Sequence, residues 1–268
     1  MTRRRWIADR WTATTASLTG DQATHLARVL RAEPGQVYDV VSNGFLHRAE
    51  IVSVSDAEVL FTLHEELESD AALPLHLLLA VFKFDHMEWA IEKATELGIA
   101  RITPILARRT EKHLAQSALK RSERWRRIAL EASKQSRRTD IPEILDPALL
   151  KSALEIERSP VRILLSETEQ SLTISAAMDN SNPSANDRRI STHTTEADAL
   201  HSSNIRSTLS DGINTALALA IGPEGGWTPE EMSIFTQHQW QPVTLGPRIL
   251  RAETAAIAAI AIASTHLF

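Results

Sequence analysis

The fold is decided by two loops, Ile221-Gly222-Pro223-Glu224-Gly225-Gly226-Trp227 and Leu245-Gly246-Pro247-Arg248-Ile249-Leu250-Arg251, which hold four of the chain's nine glycines. Each loop follows an apolar, strand-like run, at 216–221 and 243–245, and each leads into a predicted helix. Glycine between the carboxyl end of a strand and a helix lets the backbone approach a ligand closely. The loops therefore predict an α/β fold with a ligand site at the carboxyl ends of its strands.

Strands and helices alternate in the residues before these loops. An apolar run at 75–82, a helical pattern from Asp85 to Gly98 and a second apolar run at 99–106 form a β-α-β unit, which predicts a parallel sheet. Asp85 followed by Glu88 predicts a capping box at the start of the helix. Later patterns predict a strand at 161–165, a helix start at Thr228-Pro229-Glu230-Glu231 and an Ala/Ile-rich helix at 252–266. That last helix is apolar on nearly every face, so it either fills the core or packs against a partner chain.

Residues 1–70 predict a separate β domain that precedes the α/β domain at 74–268. Turn signals such as Ser42-Asn43-Gly44 separate its β-branched runs, and the predicted strands are 37–41, 46–54 and 58–63. A short predicted helix at 20–31 carries three basic residues on roughly one face: His25, Arg28 and Arg31. A small barrel with such a helix fits an RNA-binding domain, and an ordinary surface helix explains the pattern equally well. The acidic, strand-poor stretch 65–74 is the best candidate for the domain boundary.

The composition excludes several classes of protein. The chain has 43% hydrophobic residues and no cysteine, so it can form a core but no disulfide, thiolate–zinc site or cysteine nucleophile. No apolar run is long enough to span a membrane, no metal site is predicted, and we expect a cytoplasmic protein. The net charge is −5, yet residues 101–151 contain thirteen Lys and Arg against six Asp and Glu. A predicted long helix or helix pair at 114–138 carries much of this charge, as a phosphate-binding face or as a solvated surface.

The two loops do not match the common nucleotide-binding motifs. The first lacks the Gly-Lys-Ser/Thr ending of a P-loop and the Gly-x-Gly-x-x-Gly spacing of a dinucleotide site, which disfavours nucleoside triphosphates and NAD. It is also compatible with a turn that needs glycine only for its backbone angles. In the second loop and just beyond it, Arg248, Arg251 and Glu253 closely follow a buried strand. They predict either an Arg–Glu pair that braces a helix start or a site for an anionic substrate.

Both loops together resemble the signature loops of a known family, the bacterial 16S rRNA (uridine N3) methyltransferases of the SPOUT superfamily of knotted methyltransferases. The resemblance includes Thr228 after the first loop and Ala252-Glu253-Thr254-Ala255 after the second. It extends over most of the chain. Lys93 to Gly98 is similar to the family's first helix, Glu131 to Arg138 to its basic helix, and His25 to Arg31 to its N-terminal domain.

The resemblance implies a fold, a cofactor and a set of site residues. The implied fold is a SPOUT-type parallel sheet with a C-terminal trefoil knot, preceded by a PUA-like β-barrel. The protein is expected to act as a homodimer on 16S ribosomal RNA, within the small ribosomal subunit. The cofactor is S-adenosylmethionine (SAM), and the matching positions are Leu165, Ser166, Glu167, Ile221, Gly222, Pro223, Glu224, Gly225, Gly226, Leu245, Gly246, Ile249 and Leu250. The RNA-binding candidates are His25, Arg28, Arg31, Arg137, Arg138 and Arg248. As the catalytic pair, Arg251 would stabilise the uridine anion and Glu253 would orient Arg251 or accept the proton, with the orienting role favoured.

Two features depart from the family pattern. Residues 178–211 are rich in Ser, Thr, Asn and Asp, and they predict a mobile insertion. Thr24-His25 stands where family members often carry a His-His pair, so one RNA contact differs here. Two other functions stay open: ribose 2′-O methylation by another SPOUT enzyme, and a non-catalytic RNA-binding or ribosome-assembly factor. The intact glycines of both loops argue against the second.

Overall fold

The computed structural model describes residues 5–67, 72–136, 138–181 and 215–267. The chain forms two compact units, one made of Met1–Ala72 with Ala129–Ile141 and the other of Leu73–Ile128 with Pro142–Phe268. The segment 129–141 thus groups with the first unit, whereas the sequence assigned it to the domain at 74–268. The assignment of a function to each domain stays a prediction.

A mixed β-sheet forms most of the first unit. Its described strands lie in the order β1-β4-β5-β6-β3-β2, with β1 and β4 parallel and the other pairs antiparallel. They are β1 (Arg5–Ile7), β2 (Arg10–Trp11), β3 (Thr15–Thr19), β4 (Val37–Ser42), β5 (Phe45–Val54) and β6 (Glu58–Leu67). The predicted strands and the hairpin turn are confirmed, because Asn43 and Gly44 adopt φ of 51° and 82° as a tight turn requires. The stretch 65–74 is not strand-poor, since β6 continues to Leu67.

The predicted helix at 20–31 has two parts. α1 (Gly20–Thr24) is α-helical and is followed by a π-helical turn, His25–Val29. Arg31 ends it with φ of 51°, a left-handed angle that is uncommon for residues other than glycine. The spacing of Leu26, Val29 and Leu30 predicts a buried apolar stripe. Only Leu26 packs into the core of the first unit, whereas Val29 and Leu30 are 65% and 36% exposed.

A parallel β-sheet forms the centre of the second unit, as predicted. Its described strands lie in the order β10-β8-β7-β12-β11-β13, and β9 also pairs with β8. They are β7 (Leu73–Ala80), β8 (Ile99–Leu106), β9 (Glu143–Ile144), β10 (Ala148–Leu149), β11 (Val161–Leu165), β12 (Leu217–Ile221) and β13 (Gln241–Val243). The central strands β7 and β12 are buried along nearly their whole length, which explains their continuous apolar sequences.

The described helices of the chain after α1 are α2 (Phe84–Glu96), α3 (Lys112–Ser136), α4 (Leu150–Ile156), α5 (Ile174–Ser181), α6 (Pro229–Gln237) and α7 (Ala252–Leu267). Among the described residues, no helix combines the length and the apolar character that crossing a bilayer would need. α5 includes residues 178–181, which the sequence assigned to a mobile insertion at 178–211. The rest of that predicted insertion lies outside the described residues.

The predicted capping box at Asp85 and Glu88 is wrong. α2 begins at Phe84 and has no side-chain cap. The carboxylate of Glu88 instead accepts hydrogen bonds from Nε and Nη2 of Arg124 at 2.6 and 2.7 Å. A bidentate arginine–carboxylate pair is stronger than a hydrogen bond to a neutral backbone N–H. Glu88 therefore pairs with Arg124 and does not cap the helix.

Candidate functional site

Three loops meet at the carboxyl edge of the parallel sheet: loop 1 (165–172), loop 2 (221–227) and loop 3 (244–251). They follow β11, β12 and β13, which are neighbours in the sheet. The N–H of Ser166 donates to the carbonyl of Val243 at 3.0 Å, and the N–H of Thr244 donates to the carbonyl of Leu172 at 2.8 Å. These bonds join loop 1 to loop 3. They also explain why β13 ends at Val243 instead of the predicted Leu245, because the chain turns from the sheet toward loop 1 at Thr244.

Close approach, more than backbone angle, explains the glycines of loop 2. Gly226 has φ of 70°, whereas Gly222 and Gly225 do not adopt positive φ. A Cβ at Gly222 would lie 3.2 Å from the indole of Trp227, closer than a side chain packs comfortably. The alternative of a simple turn therefore accounts for Gly226 alone. The N–H of Gly226 donates to the carbonyl of Pro223 at 2.8 Å and closes the loop.

Loop 2 runs directly into a capped helix, as the sequence predicted. The side chain of Thr228 accepts a hydrogen bond from the N–H of Glu231 at 3.3 Å, and the Glu231 carboxylate accepts one from the N–H of Thr228 at 2.9 Å. The second carboxylate oxygen of Glu231 accepts from the N–H of Arg108 at 2.7 Å. Glu231 is only 3% exposed, and two of these bonds engage both of its carboxylate oxygens, so it fixes the end of loop 2 rather than a ligand.

Loop 1 is ordered by a carboxylate of its own. Glu169 accepts hydrogen bonds from the N–H of Leu172 at 3.0 Å and from the N–H and hydroxyl of Ser171, both at 2.8 Å. The N–H groups of Leu172 and Ser171, followed by the Ser171 hydroxyl, lower the pKa of Glu169 to about 2, since they stabilise the ionised form. Glu169 is therefore ionised at neutral pH, and its hydrogen bonds stabilise the turn of loop 1.

Loop 3 exposes two arginines beside the strand ends. Gly246 has φ of 109° and its N–H donates to the Thr244 hydroxyl at 3.1 Å, which turns the chain outward. Ile249 is 84% exposed. Within the described ranges, the guanidinium groups of Arg248 and Arg251 make no hydrogen bond or ion pair, and both residues are exposed. Unpaired guanidinium groups at this edge are free to bind an anionic ligand.

Glu253 is buried at the start of α7 and does not pair with Arg251. Its side chain is 5% exposed, and Oε1 lies 3.3 Å from Nδ1 of His86. This is an ion-pair distance when the imidazole is protonated, although its geometry is not that of a hydrogen bond. Oε2 has no hydrogen-bond partner among the described residues. The predicted Arg–Glu brace is therefore not formed, and the sequence analysis missed His86, whose only local signal is its place beside Asp85 at the start of α2.

Comparison with known proteins identifies the family of the chain. Residues 69–264 match the model of an RNA methyltransferase domain. The chain is 30% identical over 256 residues to the ribosomal RNA small subunit methyltransferase E of Bacillus subtilis, covering 92% of this chain and 89% of the relative. It is 32% identical over 252 residues to the same protein from Synechocystis, covering 92% and 72%. This chain belongs to the ribosomal RNA small subunit methyltransferase E family.

Solved structures of similar proteins include two with a bound cofactor. The methyltransferase E of Neisseria gonorrhoeae, bound to SAM, superposes with a TM-score of 0.72 at 26% identity, covering 99% of this chain and 98% of that one. A putative methyltransferase of Legionella pneumophila in complex with SAM has a TM-score of 0.71 at 25% identity, with the same coverage. Both belong with this chain to one fold, and SAM is the ligand that the sequence predicted.

The three loops fit such a cofactor. All the positions predicted to bind SAM lie in them, and the structure brings the loops together. Loops 1 and 3 share hydrogen bonds, and a Cβ placed on Gly226 of loop 2 would lie 3.8 Å from a carboxylate oxygen of Glu167 in loop 1. Gly246 faces open space, with nothing within 4 Å of a Cβ position. The role of each residue in cofactor binding stays a prediction.

The predicted RNA-binding residues of the methyltransferase differ in how available they are. Arg28 pairs with Asp56 at 2.5 Å, although both side chains are more than half exposed. Arg138 is 8% exposed in its side chain and pairs with Asp140, so a phosphate contact would require that pair to break. Arg31 is exposed and has no polar partner among the described residues. Arg137 lies outside the described residues.

Much of the charge on the predicted basic helix, now α3, is neutralised within the chain. Arg121 and Arg124 pair with Glu88, and Arg126 pairs with Glu123 and Asp146. Among the described residues of α3, the exposed cations without an ion pair include Lys120 and Arg127. They are seven residues apart and thus lie on one helix face, about 10 Å from each other along the axis. Nothing in the sequence distinguishes Lys120 and Arg127 from the other basic residues of α3, because a count of charges does not show which cations are paired.

Proposed function

We propose that this chain transfers the methyl group of SAM to N3 of a uridine in 16S ribosomal RNA. Family membership supports the reaction class. The observation that carries the site is the meeting of three loops at one sheet edge beside an unpaired arginine, Arg251, and a buried carboxylate, Glu253. The ribose 2′-O reaction and a non-catalytic factor are the alternatives.

Cofactor binding falls to the backbone of loops 1, 2 and 3 at the positions predicted from the sequence. SAM supplies a sulfonium methyl group, which needs in-line positioning more than covalent assistance. The close-packed glycines of loop 2 and the outward turn at Gly246 support this assignment, since both bring main-chain N–H and C=O groups to the ligand. Loop 1 adds Leu165, Ser166 and Glu167.

Arg251 is proposed to hold the uracil ring as its N3 proton leaves. N3 lies on the Watson–Crick edge, so the base must be unpaired or flipped out of a helix. Negative charge then develops on the O2 and O4 carbonyls, and a guanidinium beside them stabilises it. The exposure of Arg251 and its lack of an internal partner support this role.

Glu253 is proposed to orient Arg251 in the substrate complex. Its buried Oε2 lacks a donor, and an unsatisfied buried carboxylate oxygen is costly. An arginine side chain that turns inward can satisfy this oxygen. His86, 3.3 Å from the other oxygen, would hold the carboxylate in place from α2.

A second copy of the chain is proposed to cover the face between α2 and α7. Six of the described α7 residues form a buried stripe, so the helix does not fill the core on every side, and this favours the predicted alternative of packing against a partner chain. Its other side lines a groove of about 630 Å³, with residues Trp89, Lys93, Glu96, Leu97, Thr254, Ile257, Ala258 and Ala261. Trp89 in this groove is 46% exposed, and a large exposed apolar side chain in such a groove often marks a protein interface. Light scattering of the wild type and of Ile257→Glu tests this homodimer, with a monomer expected for the variant.

Further parts of the proposal follow from the resemblance. The C-terminal trefoil knot and the PUA-like barrel at 1–70 are the proposed topology, the small ribosomal subunit is the proposed setting, and the cytoplasm the proposed location. RNA phosphates would be held by His25, Arg28, Arg31, Arg248 and two of the unpaired cations of α3, Lys120 and Arg127.

Nucleoside analysis of 16S RNA tests the function. A strain that lacks its own methyltransferase E is complemented with this chain, and digested RNA is analysed by mass spectrometry. We expect 3-methyluridine to appear only with the active chain. A 2′-O-methylated nucleoside would favour the ribose methyltransferase, and unmodified RNA without SAM binding by calorimetry would favour the non-catalytic factor.

A further inference from the structure

The loop after β8 makes hydrogen bonds to loop 2 and to the start of α6. No function was predicted from the sequence for this loop. The guanidinium of Arg109 donates a hydrogen bond from Nη1 to the carbonyl of Gly225. The N–H of Arg108 donates to the carboxylate of Glu231, the residue that caps α6. Arg109 therefore fixes the middle of loop 2 at Gly225, and Arg108 fixes the helix start that follows loop 2.

The side chain of Arg109 also packs on the glycine backbone. A Cβ placed on Gly225 would lie 3.2 Å from Cδ and 3.4 Å from Cβ of Arg109, and one placed on Gly226 would lie 3.8 Å from its Nη1. The absence of a side chain at Gly225 is thus what lets Arg109 lie flat on loop 2. This explains the glycine at a position whose φ is not positive.

We propose that Arg109 is a positioning residue for the cofactor, acting through Gly225. This inference rests on the proposed function, because it takes loop 2 as part of the SAM site. A glycine-rich loop loses more backbone entropy on ordering than other sequences do. A charged hydrogen bond to the Gly225 carbonyl orders the loop before the cofactor binds, and preorganisation of this kind raises affinity. Arg109 itself need not touch the cofactor.

Calorimetric titration with SAM tests the inference, with Arg108→Ala as the matched control. Arg108 is exposed and its contact to Glu231 uses the backbone N–H, which the control keeps. We expect Arg109→Ala to raise the Kd for SAM about tenfold, as the loss of one charged hydrogen bond does. Arg108→Ala should stay within about twofold of wild type, and Arg109→Lys should recover part of the affinity.

A kinetic split and a double variant separate positioning from general stability. In Arg109→Ala the KM for SAM should rise about tenfold, whereas kcat at saturating SAM and the KM for RNA stay within about twofold. Gly225→Ala should weaken SAM binding in the wild-type background and much less in the Arg109→Ala background, because the Cδ that it strikes is then gone. Equal Kd values for wild type and Arg109→Ala, or additive effects in the double variant, overturn the inference alone. A wild-type chain that does not bind SAM overturns the proposed function with it.

Discussion

Two buried carboxylates, Glu253 at the carboxyl end of the parallel sheet and Glu157 at the amino end, differ in how completely they are paired. At the carboxyl end, Glu253 keeps one buried oxygen without a partner, and the guanidinium of Arg251, two residues earlier in the chain, has no polar partner within the described residues. Toward the amino ends of β11 and β12, His76 and Glu157 are also buried, but each polar atom that faces inward is paired. The incomplete set of partners around Glu253 points to a ligand, and the complete set around Glu157 points to a structural role.

The network at the amino end is closed. Nδ1 of His76 lies 2.5 Å from Oε2 of Glu157, and Nε2 lies 2.7 Å from the hydroxyl of Thr103. Oε1 of Glu157 accepts from the N–H groups of Arg158 and Ser159 at 2.8 and 2.7 Å. Burial by itself would raise the pKa of Glu157, but the hydrogen bond and charge of His76, together with Ser159, hold it at about 2. The row of Thr, His and Glu has the residue types of a hydrolytic triad, yet all three are under 10% exposed, so it braces the sheet.

The sharpest test of the open end is Arg251→Ala. Loss of the group that stabilises the developing anion should lower the methylation rate about 100-fold to 1,000-fold, with SAM binding unchanged within about twofold. Single-turnover methylation and calorimetry measure the two quantities, and Lys151→Ala on α4 is a charge-matched control. Loss of SAM affinity with normal chemistry at saturating SAM would contradict the role of Arg251.

Glu157→Ala tests the closed end. Removing one partner of a buried pair should lower the free energy of unfolding by about 3 kcal/mol or more, measured by urea denaturation. The exposed neighbour Glu155→Ala should change it by less than about 0.5 kcal/mol. If both variants unfold alike, the network contributes nothing and the contrast between the two ends fails.

Acid should weaken the closed end in a defined direction. The pKa of Glu157 is lowered from 4.5 to about 2 in the folded chain, so its contribution is complete well above 4.5 and is lost as the pH falls toward 2. The stability difference between wild type and Glu157→Gln should therefore fall by roughly half between pH 7 and pH 3. Denaturation curves across that range measure it, and a constant difference would show that the carboxylate charge is not responsible.

The smallest expected effect concerns the local cap beside loop 2. Thr228→Ala removes the side-chain acceptor of the capping box and should cost about 1 kcal/mol of unfolding free energy, whereas Thr228→Ser should cost little. Thermal unfolding of the three proteins measures this. An unchanged midpoint for the alanine variant would mean that Pro229 and Glu231 hold the start of α6 without the threonine.

Features that depend on a few adjacent residues are predictable from this sequence, whereas features that depend on residues remote in the chain are not. The β-α-β unit, the hairpin at Asn43-Gly44 and the cap at Thr228 each depend on a few adjacent residues, and all three are confirmed. The capping box at Asp85 failed because a partner 36 residues from Glu88 competes for its carboxylate. The strand predicted at 243–245 lies at Gln241–Val243, because Thr244 hydrogen-bonds to Leu172 of loop 1 and leaves the sheet.

By itself, the sequence determined the α/β class, the two glycine loops and their place after strands, since periodicity and turn chemistry are local. Only the tertiary structure decided which polar and charged side chains are paired within the chain. Arg109 meets Gly225 across 116 residues, His76 meets Glu157 across 81, and Glu253 faces His86 instead of the nearby Arg251. These pairings depend on which strands lie side by side, because a sheet brings together loop ends that are remote in the chain.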